Sequence, residues 1–266
     1  MKGENFSIDS KPVFKRYYGS YAEISDYSFT NFFIWSFGRE IKYCEENGSF
    51  IVKIKYPGEQ FPFLLMPAGE NKMELLEKLE KEFSEKGFPF IIKSVSESMK
   101  LEMETGFRDR FVFYEERDRF DYIYSVKELI ELSGKKYHKK KNLLNNFIKN
   151  YSYEYIKFNG ENIKEAEELQ KKWCSENQCS LDLWLSTEEA GILKSIENFE
   201  NLDIVAAGLK IEGKLAAFTI GERVSDETAV IHIEKGDSSF TGIYQAMNNL
   251  FLKNEFSDLK YVNREE

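Results

Sequence analysis

Histidine, cysteine and proline are scarce in this sequence of 266 residues, which contains two, three and five of them respectively. The cysteines, Cys44, Cys174 and Cys179, have no histidine beside them, because His138 and His232 stand elsewhere in the chain. A zinc site needs about four such ligands close together, so the sequence predicts no metal site. The cysteines are scattered and odd in number, which predicts reduced thiols.

Long apolar runs are also missing. The longest, such as 61–66 and 203–209, are far shorter than the roughly 20 residues of a membrane-spanning helix. Residues 1–5 are polar and provide no apolar segment of a signal peptide. We therefore expect a cytoplasmic protein with no transmembrane segment.

Basic residues do not dominate, since 37 lysines and arginines face 46 acidic residues and the formal net charge is −9. This charge argues against a protein that coats nucleic acids generally, although a local basic patch can still bind a phosphate-rich partner. A hydrophobic content of 42% with 31% charged residues is ordinary for a globular protein and excludes a disordered chain. The 23 phenylalanines and 15 tyrosines predict an aromatic core.

The clearest secondary-structure pattern occurs twice. It consists of a hairpin, a third strand, a helix and a further strand, first within 41–93 and again within 203–263. Asn47-Gly48 is a strong hairpin turn in the first copy. The economical interpretation is an α/β (α+β) protein with two domains in tandem, 1–125 and 126–266, each a mixed sheet flanked by helices. One large mixed domain is the alternative.

Three further elements are predicted locally. The dense aromatics of 27–37 indicate a buried helix, and 107–114 has the composition of a strand. The segment Ser186-Thr187-Glu188-Glu189 has the pattern of a capping box and predicts the start of a helix.

Five lysines occupy seven positions from Lys135 to Lys141, with no acid among them. Such a cluster repels itself unless an anion compensates it, so it is a candidate phosphate contact. The residues expected to bind the phosphates of such a partner are Lys135, Lys136, His138, Lys140 and Asn142. A solvated helix face is the alternative.

The third strand of the second copy contains two candidate catalytic residues. Strand alternation predicts that Val230, His232 and Glu234 share one face. If that face lines a cleft, His232 or Glu234 can accept a proton from a substrate. The alternative is a hydrogen-bonded pair between sheet and helix.

The turn from Asp237 to Gly242 precedes a helix, and helix starts favour anions because their N–H groups are unpaired. The turn has one glycine, no arginine and an acid, so it is a poor pyrophosphate cradle and disfavours acetyl-coenzyme A. Asp237 is placed to bind a substrate ammonium, although helix capping explains it equally well.

Four ordered segments, 134–142, 232–237, 242–249 and 262–266, resemble an uncharacterised bacterial family. This family is similar to the C-terminal domain of phosphatidylglycerol lysyltransferases. The resemblance implies tandem acyltransferase-like (GNAT) domains, related to Fem-type ligases that move an amino acid from aminoacyl-tRNA to an amine or hydroxyl. Family members usually continue beyond the Asn-Arg-Glu-Glu motif, so the resemblance also implies a second domain truncated at its C-terminus.

Four more residues are candidates for substrate binding. Gln245 and Asn249 lie off the apolar stripe of the last helix, with Asn248, and amides on an exposed face are usually only solvated. Asn263 and Glu265 share a face at the end of the last strand. Their position there and the family likeness suggest that they orient an amino-acid ligand.

The sequence leaves three functions open. The first is an aminoacyltransferase that uses aminoacyl-tRNA and a small-molecule, lipid or peptide acceptor. The second is an N-acyltransferase that uses acyl-coenzyme A as co-substrate. The third is a non-catalytic module that binds a small metabolite or peptide. None of them requires a resident cofactor.

Overall fold

The computed structural model describes residues 3–22 and 24–265. Both ends of the chain, at Met1, Lys2 and Glu266, therefore lie outside the described residues, including the end of the Asn-Arg-Glu-Glu motif. The chain divides into two compact units, Met1–Arg119 and Phe120–Glu266. Strand Ile123–Ser125 precedes the domain boundary expected from the sequence, but it pairs with a strand of the second unit.

The first unit contains one mixed sheet with helices. Its elements are β1 (Glu4–Asn5), α1 (Lys11–Tyr18), α2 (Phe29–Trp35), β2 (Glu40–Glu46), β3 (Ser49–Lys55), β4 (Phe63–Leu65), β5 (Ala68–Gly69), α3 (Lys72–Glu85), β6 (Ile92–Lys93) and α4 (Glu97–Phe107). The strand order is β1-β2-β3-β4-β6, with β5 paired to β3. β4 and β6 are parallel, and α3 connects them.

Local sequence explains most of this unit. Asn47 and Gly48 both adopt positive φ, of 50° and 72°, as the tight turn between β2 and β3 requires. The aromatic helix is confirmed as α2, whose residues 29–34 are buried. The strand predicted at 107–114 is wrong: Phe107 is buried at the end of α4, and Phe111 packs on its ring at a centroid distance of 5.3 Å. The segment therefore packs through Phe111 on the end of α4, and it pairs with no strand of the described residues.

The second unit contains the other mixed sheet. Its elements are β7 (Ile123–Ser125), α5 (Val126–Glu131), α6 (His138–Asn150), β8 (Tyr153–Lys157), α7 (Glu165–Glu176), α8 (Leu183–Glu197), β9 (Ile204–Ile211), β10 (Lys214–Arg223), β11 (Thr228–Gly236), α9 (Ile243–Glu255) and β12 (Tyr261–Asn263). The strand order is β7-β12-β11-β10-β9-β8. Only β11 and β12 pair in parallel among the described strands of this sheet, and α9 connects them.

Helices cover both faces of this sheet. On one face α5, α6 and α9 enclose an apolar core, whose larger members include Leu129, Phe147, Met247, Phe251 and Phe256. On the other face, side chains of α7 and α8 contact the charged residue Lys235. Its Nζ lies 4.0 Å from the ring centroid of Trp173 on α7 and 2.7 Å from Oε2 of Glu188 on α8.

The predicted start of α8 is wrong. Asp182 caps the helix, because its Oδ1 accepts hydrogen bonds from the backbone N–H groups of Trp184 and Leu185 at 2.8 and 3.0 Å. The hydroxyl of Ser186 instead donates to the carbonyl of Leu183 within the first turn. The capping-box pattern therefore lies inside the helix, since an earlier acceptor satisfies the unpaired N–H groups.

The prediction of reduced thiols is wrong for two of the three cysteines. Cys174, near the end of α7, and Cys179, in the following 3₁₀ turn, form a disulfide. Gln178 adopts a left-handed conformation with φ of 54°, which reverses the chain and brings the two Cα atoms within 5.0 Å. Cys44 is free and partly buried.

Helices long and apolar enough to traverse a lipid bilayer do not occur among the described residues.

Candidate active site

A β-bulge in β11 determines which side chains meet in the second unit. Ile220 pairs with Ile233, and the next residue, Gly221, pairs with Ile231. His232 is therefore the extra residue on β11. A bulge interrupts strict alternation, so side chains before and after it do not follow a simple two-residue period.

The prediction that Val230, His232 and Glu234 share one face is wrong for this reason. A Cβ on Gly221 would lie 3.2 Å from the ring of Phe251, so this residue faces α9. The next residue, Glu222, points to the opposite face, and it is Glu222 that His232 contacts. Glu234 instead lies near residues of α9 and α6.

His232 lies between two carboxylates. Its Nδ1 is 2.6 Å from Oε1 of Glu265, and its Nε2 is 3.0 Å from Oε1 of Glu222. Only 1% of the side chain is exposed. Burial lowers the pKa of His232, but the charges and hydrogen bonds of Glu265 and Glu222 outweigh it and raise the pKa to about 10. His232 is therefore an imidazolium at neutral pH, with both nitrogens donating and no lone pair for a substrate proton.

Asn263 and Glu265 organise the C-terminal segment. Asn263 is fully buried, and its Nδ2 donates to Oδ2 of Asp121 at 2.7 Å. Its side-chain oxygen accepts the backbone N–H of Glu265 at 2.8 Å. The carbonyl of Glu265 then accepts the N–H of Tyr122 at 3.1 Å. These contacts hold Glu265 in position for His232.

Glu234 forms the centre of a second polar cluster. Its Oε1 accepts a hydrogen bond from Nη2 of Arg264 at 3.2 Å, and 11% of its side chain is exposed. Burial raises the pKa of Glu234, whereas Arg264, the Asn248 amide and Lys140 oppose this rise. A carboxylate with a raised pKa accepts a proton more readily near neutral pH than an ordinary glutamate does.

Three atoms of this cluster are buried without a partner at ordinary hydrogen-bond distance in the described part of the chain: Oε2 of Glu234, Nδ2 of Asn248 and Nε of Arg264. The Asn248 amide still acts on Glu234 as a hydrogen-bond donor and lowers its pKa, so the two side chains lie near each other. A buried polar atom without a close partner costs about 1 to 3 kcal/mol. One acceptor beside two donors matches a reacting group that both releases a proton and gains negative charge on oxygen. We therefore take Glu234, Asn248 and Arg264 as the candidate active site.

Two members of this site have little signal in the sequence. The helical pattern places Asn248 and Asn249 on an exposed face, yet each is only 8% exposed. Asn249 donates through Nδ2 to the carbonyls of Leu129 and Ile130 at 2.9 and 2.8 Å, because α5 covers this part of α9. Arg264 stood only within a family motif. Gln245 is half-buried on α9.

The lysines of the cluster have different environments in the structure. Lys136 forms an ion pair with Glu128 at 2.9 Å, so one of the charges is compensated within the chain. Lys140 is partly buried, and its Nζ lies 5.3 Å from the ring centroid of Tyr124. Burial lowers the pKa of Lys140, as does the charge of Arg264, whereas Glu234 raises it.

The other predicted phosphate ligands lie on the surface. Lys135, His138 and Asn142 are exposed. Nδ2 of Asn142 is 3.5 Å from Nδ1 of His138, one helical turn away on α6. These side chains remain accessible to a large anionic partner.

Asp237 already has a cation. Its Oδ2 lies 2.5 Å from Nζ of Lys172 on α7, and its Oδ1 accepts the backbone N–H of Ser239 at 3.0 Å. The hydrogen bond from Lys172, followed by that from Ser239, lowers the pKa of Asp237. The side chain therefore both caps the turn and binds an internal ammonium.

The turn before α9 is held by internal hydrogen bonds. Four backbone N–H groups donate to acceptors of the same unit, namely those of Ser239, Phe240, Thr241 and Ile243. Gly242 has φ of 89°, and a Cβ there would lie 2.3 Å from the carbonyl oxygen of Leu143 on α6. The four N–H groups are thus unavailable to a phosphate at this helix start.

The fold and the comparisons define the class of protein. Two mixed sheets, each with an antiparallel hairpin followed by a parallel crossover through a helix, are those of tandem acyltransferase-like (GNAT) domains. Residues 20–265 match the family model described as "Phosphatidylglycerol lysyltransferase, C-terminal". The chain belongs to this family, which is of the acyltransferase type.

Solved structures support the same fold. A conserved protein of unknown function from Bacteroides thetaiotaomicron VPI-5482 is 28% identical, with a TM-score of 0.90 over 100% of this chain and 90% of that chain. L-PGS from Bacillus licheniformis is 15% identical, with a TM-score of 0.65 over 99% and 79%. FemX is 10% identical, with a TM-score of 0.54 over 100% and 88%. No functionally curated protein matches the sequence.

Proposed function

We propose that this protein transfers an aminoacyl group from aminoacyl-tRNA to an amine or hydroxyl acceptor. The observation that carries the proposal is the buried Oε2 of Glu234, which has no partner at ordinary hydrogen-bond distance and lies near the donor groups of Asn248 and Arg264. Membership of the phosphatidylglycerol lysyltransferase C-terminal family supports the reaction type. The acceptor is a small molecule, a lipid or a peptide.

Glu234 is assigned as the general base. As the acceptor nitrogen or oxygen bonds to the aminoacyl carbon, its proton passes to Oε2 of Glu234. The ester oxygen of the tRNA ribose then leaves and takes the proton from Glu234. Raising the pKa of Glu234 by burial favours this exchange at neutral pH, because proton transfer is most efficient when the pKa lies near the working pH.

Asn248 and Arg264 are assigned to the carbonyl oxygen. The oxygen gains negative charge during attack, and the Nδ2–H of Asn248 and the Nε–H of Arg264 are donors that stabilise such a charge. His232 is a positioning residue in this scheme. It fixes Glu265, the neighbour of Arg264, through a 2.6 Å contact.

The exposed lysines of α6 and of the preceding turn are assigned to the tRNA backbone. Lys135, Lys139 and Lys141 are exposed and have basic neighbours. Lysine contacts to phosphate are electrostatic and independent of sequence, so binding should weaken steeply as salt rises. Coenzyme A is disfavoured as donor, because four N–H groups at the turn before α9 are already paired.

The test uses the full chain with tRNA that carries labelled amino acids. Acceptors are vesicles of phosphatidylglycerol, a peptide with a free amine and a small primary amine. We expect label to move to one acceptor, and E234Q to lower the rate by about 10² to 10⁴, the usual contribution of a general base. E154Q, an exposed carboxylate on β8, is the matched control and should retain the rate.

Two results would contradict the proposal. One is the absence of any protein-dependent loss of aminoacyl ester with all three acceptors. The other is full activity of E234Q in protein whose melting temperature matches that of the wild type. Stabilisation by millimolar coenzyme A would favour an acyl-coenzyme A reaction instead.

A further inference from the structure

Asn263 connects three parts of the second unit at the end of β12. Its backbone lies between β11 and β7, where its partners are Val230 and Ile123. Its side chain is fully buried and is bonded at both ends. Nδ2 donates to Oδ2 of Asp121 at 2.7 Å, and the side-chain oxygen accepts the backbone N–H of Glu265 at 2.8 Å. An amide provides a donor and an acceptor at fixed positions, which neither an ionised aspartate nor an alanine does.

The contact with Glu265 closes a turn, in which the asparagine side chain accepts the N–H group two residues further along the chain. Glu265 adopts a left-handed conformation in this turn, with φ of 56°. A residue other than glycine keeps this conformation only where its surroundings enforce it. The N–H of Arg264 also donates to the carbonyl of Tyr122 at 3.0 Å, and the N–H of Tyr122 donates to the carbonyl of Glu265 at 3.1 Å. The backbone of 263–265 is therefore fixed by contacts on both sides.

The turn directs two consecutive side chains to different partners. Nη2 of Arg264 lies 3.2 Å from Oε1 of Glu234 in the candidate active site. Oε1 of Glu265 lies 2.6 Å from Nδ1 of His232, on the other face of the sheet. An arginine side chain has several rotatable bonds, so ordering its guanidinium costs conformational entropy. A fixed backbone at Arg264 reduces the number of positions that the guanidinium can reach.

We infer that Asn263, anchored by Asp121, is a positioning residue for the guanidinium of Arg264 in the candidate active site. It acts through the backbone of 263–265 and touches neither the substrate nor the reacting atoms. This inference rests on the proposed function, in which Arg264 stabilises the charge on the carbonyl oxygen. A displacement of about 1 Å at such a group can lower a rate by about 10²-fold, even when the mutated residue lies away from the chemistry.

The first measurement needs no substrate. The δ-carboxyl carbon of Glu234 is titrated by ¹³C NMR in the full chain, and its signal is assigned by its absence in E234Q. Burial raises the pKa of this carboxyl, and Arg264, the Asn248 amide and Lys140 oppose the rise. R264Q should therefore raise the pKa of Glu234. N263A should raise it in the same direction, although N263A removes no charge.

A neutral control shows whether the effect is specific to Asn263. N254A also replaces an asparagine by alanine, at an exposed position on α9 where the side chain donates only to the carbonyl of Leu250 among the described residues. It should leave the pKa of Glu234 unchanged. A general loss of stability would change the melting temperature without moving this pKa at temperatures where the protein is folded.

An exchange of the two side chains tests the hydrogen bond between Asn263 and Asp121. N263D places two carboxylates against each other, which should disturb the turn. D121N keeps an acceptor for the Asn263 amide and should have little effect. The double variant D121N/N263D restores the bond with donor and acceptor reversed, and the carboxylate at position 263 still accepts the N–H of Glu265. The double variant should therefore recover the pKa of Glu234 found in the wild type.

The second measurement is the transfer of label from aminoacyl-tRNA to the acceptor that the wild type uses. N263A should lower kcat by about 10²-fold and leave the KM for aminoacyl-tRNA nearly unchanged, because the buried amide does not contact the substrate. D121N/N263D should regain most of the lost rate. All variants are compared well below their melting temperatures.

The outcomes separate this inference from the proposed function. If the wild type transfers no aminoacyl group, but the pKa of Glu234 shifts in N263A and returns in the double variant, the positioning of Arg264 is supported while the reaction is refuted. If the wild type is active and folded N263A keeps both its kcat and the pKa of Glu234, the inference is refuted while the reaction stands. If N263A does not fold, the double variant decides. Recovery of the wild-type pKa supports the inference, whereas a double variant that is unfolded or titrates like R264Q refutes it.

Discussion

His232 and Glu234 lie two residues apart on β11, yet their side chains meet partners on opposite faces of the sheet. His232 contacts Glu222 and Glu265, whereas Glu234 contacts Arg264. The bulge at His232 breaks the alternation that would have placed both on one face. A charged imidazolium and a proton-accepting carboxylate are thereby kept in separate environments.

Gly221 lies opposite this bulge, and alanine there should destabilise the second unit. The added Cβ would lie 2.7 Å from the carbonyl oxygen of Val230, a backbone atom that cannot move aside easily. We expect G221A to lower the free energy of unfolding by about 1 to 3 kcal/mol in urea denaturation. G19A is the control, because nothing lies within 4 Å of a Cβ there and the residue has helical φ. Equal stability of the two variants would contradict the close packing.

Because two carboxylates flank His232, the free energy of unfolding should decrease as the pH rises above neutral. The pKa is raised to about 10 in the folded protein, from an ordinary value of 6.5. The folded state therefore binds the extra proton between these values, and this stabilisation is complete below pH 6.5 and lost as pH rises through about 10. The melting temperature of the wild type should fall more steeply from pH 7 to 10 than that of H232Q.

The H232Q variant also tests whether His232 stabilises the folded protein at neutral pH. H232Q leaves Glu222 and Glu265 without their shared cation, which should cost about 3 to 5 kcal/mol at pH 7. The difference in melting temperature between the wild type and H232Q should become smaller as the pH approaches 10. If the melting temperatures of the two proteins change in parallel across this pH range, His232 is not an imidazolium in the folded state.

Asn249 should contribute to stability through α5. Its amide donates to the carbonyls of Leu129 and Ile130, which are among the last residues of that helix. N249A leaves both carbonyls without this donor, so we expect a loss of about 1 to 3 kcal/mol in chemical denaturation. K253A, an exposed position on the same helix, should change stability by less than about 0.5 kcal/mol. An N249A variant as stable as the wild type would contradict this structural role of the Asn249 amide.

The disulfide can be checked directly by peptide mapping under non-reducing conditions. Cys174 and Cys179 should be linked, and Cys44 should be the single free thiol. Burial raises the pKa of the Cys44 thiol, so it should react slowly with iodoacetamide until the protein unfolds. Replacing the linked cysteines by serine should cost about 2 kcal/mol, given the short loop they close. Three reactive thiols in the unfolded, unreduced protein would exclude the bond.

Much of the fold was predictable from local sequence. The hairpin at Asn47-Gly48, the three long strands β9 to β11 and helix α9 follow from turn residues and apolar periodicity. The capping box at Ser186 misled because Asp182, four residues earlier, starts the helix by capping the N–H groups of Trp184 and Leu185. Competition between nearby capping residues is decided by the turn that precedes the helix, which short patterns do not contain.

The candidate site was predictable only in part. The His232–Asp237 segment identified the right strand, and Glu234 was among the proton acceptors proposed. Asn248 looked solvent-exposed because a helical pattern records which positions are polar and cannot show that α5 and β11 cover them. The pattern of the lysine cluster cannot show that Lys136 pairs with Glu128, because Glu128 lies outside the cluster on α5.

By itself the sequence determined the type and order of most helices and strands, because turn chemistry and apolar period act over a few neighbouring residues. The tertiary structure alone decided the direction of His232 and Glu234, the partners of Asn249 and Asp237, and the disulfide. The disulfide depends on the left-handed turn at Gln178, and the other contacts depend on residues distant in the chain or on a one-residue bulge. A bulge changes the facing of side chains without changing the composition of the strand.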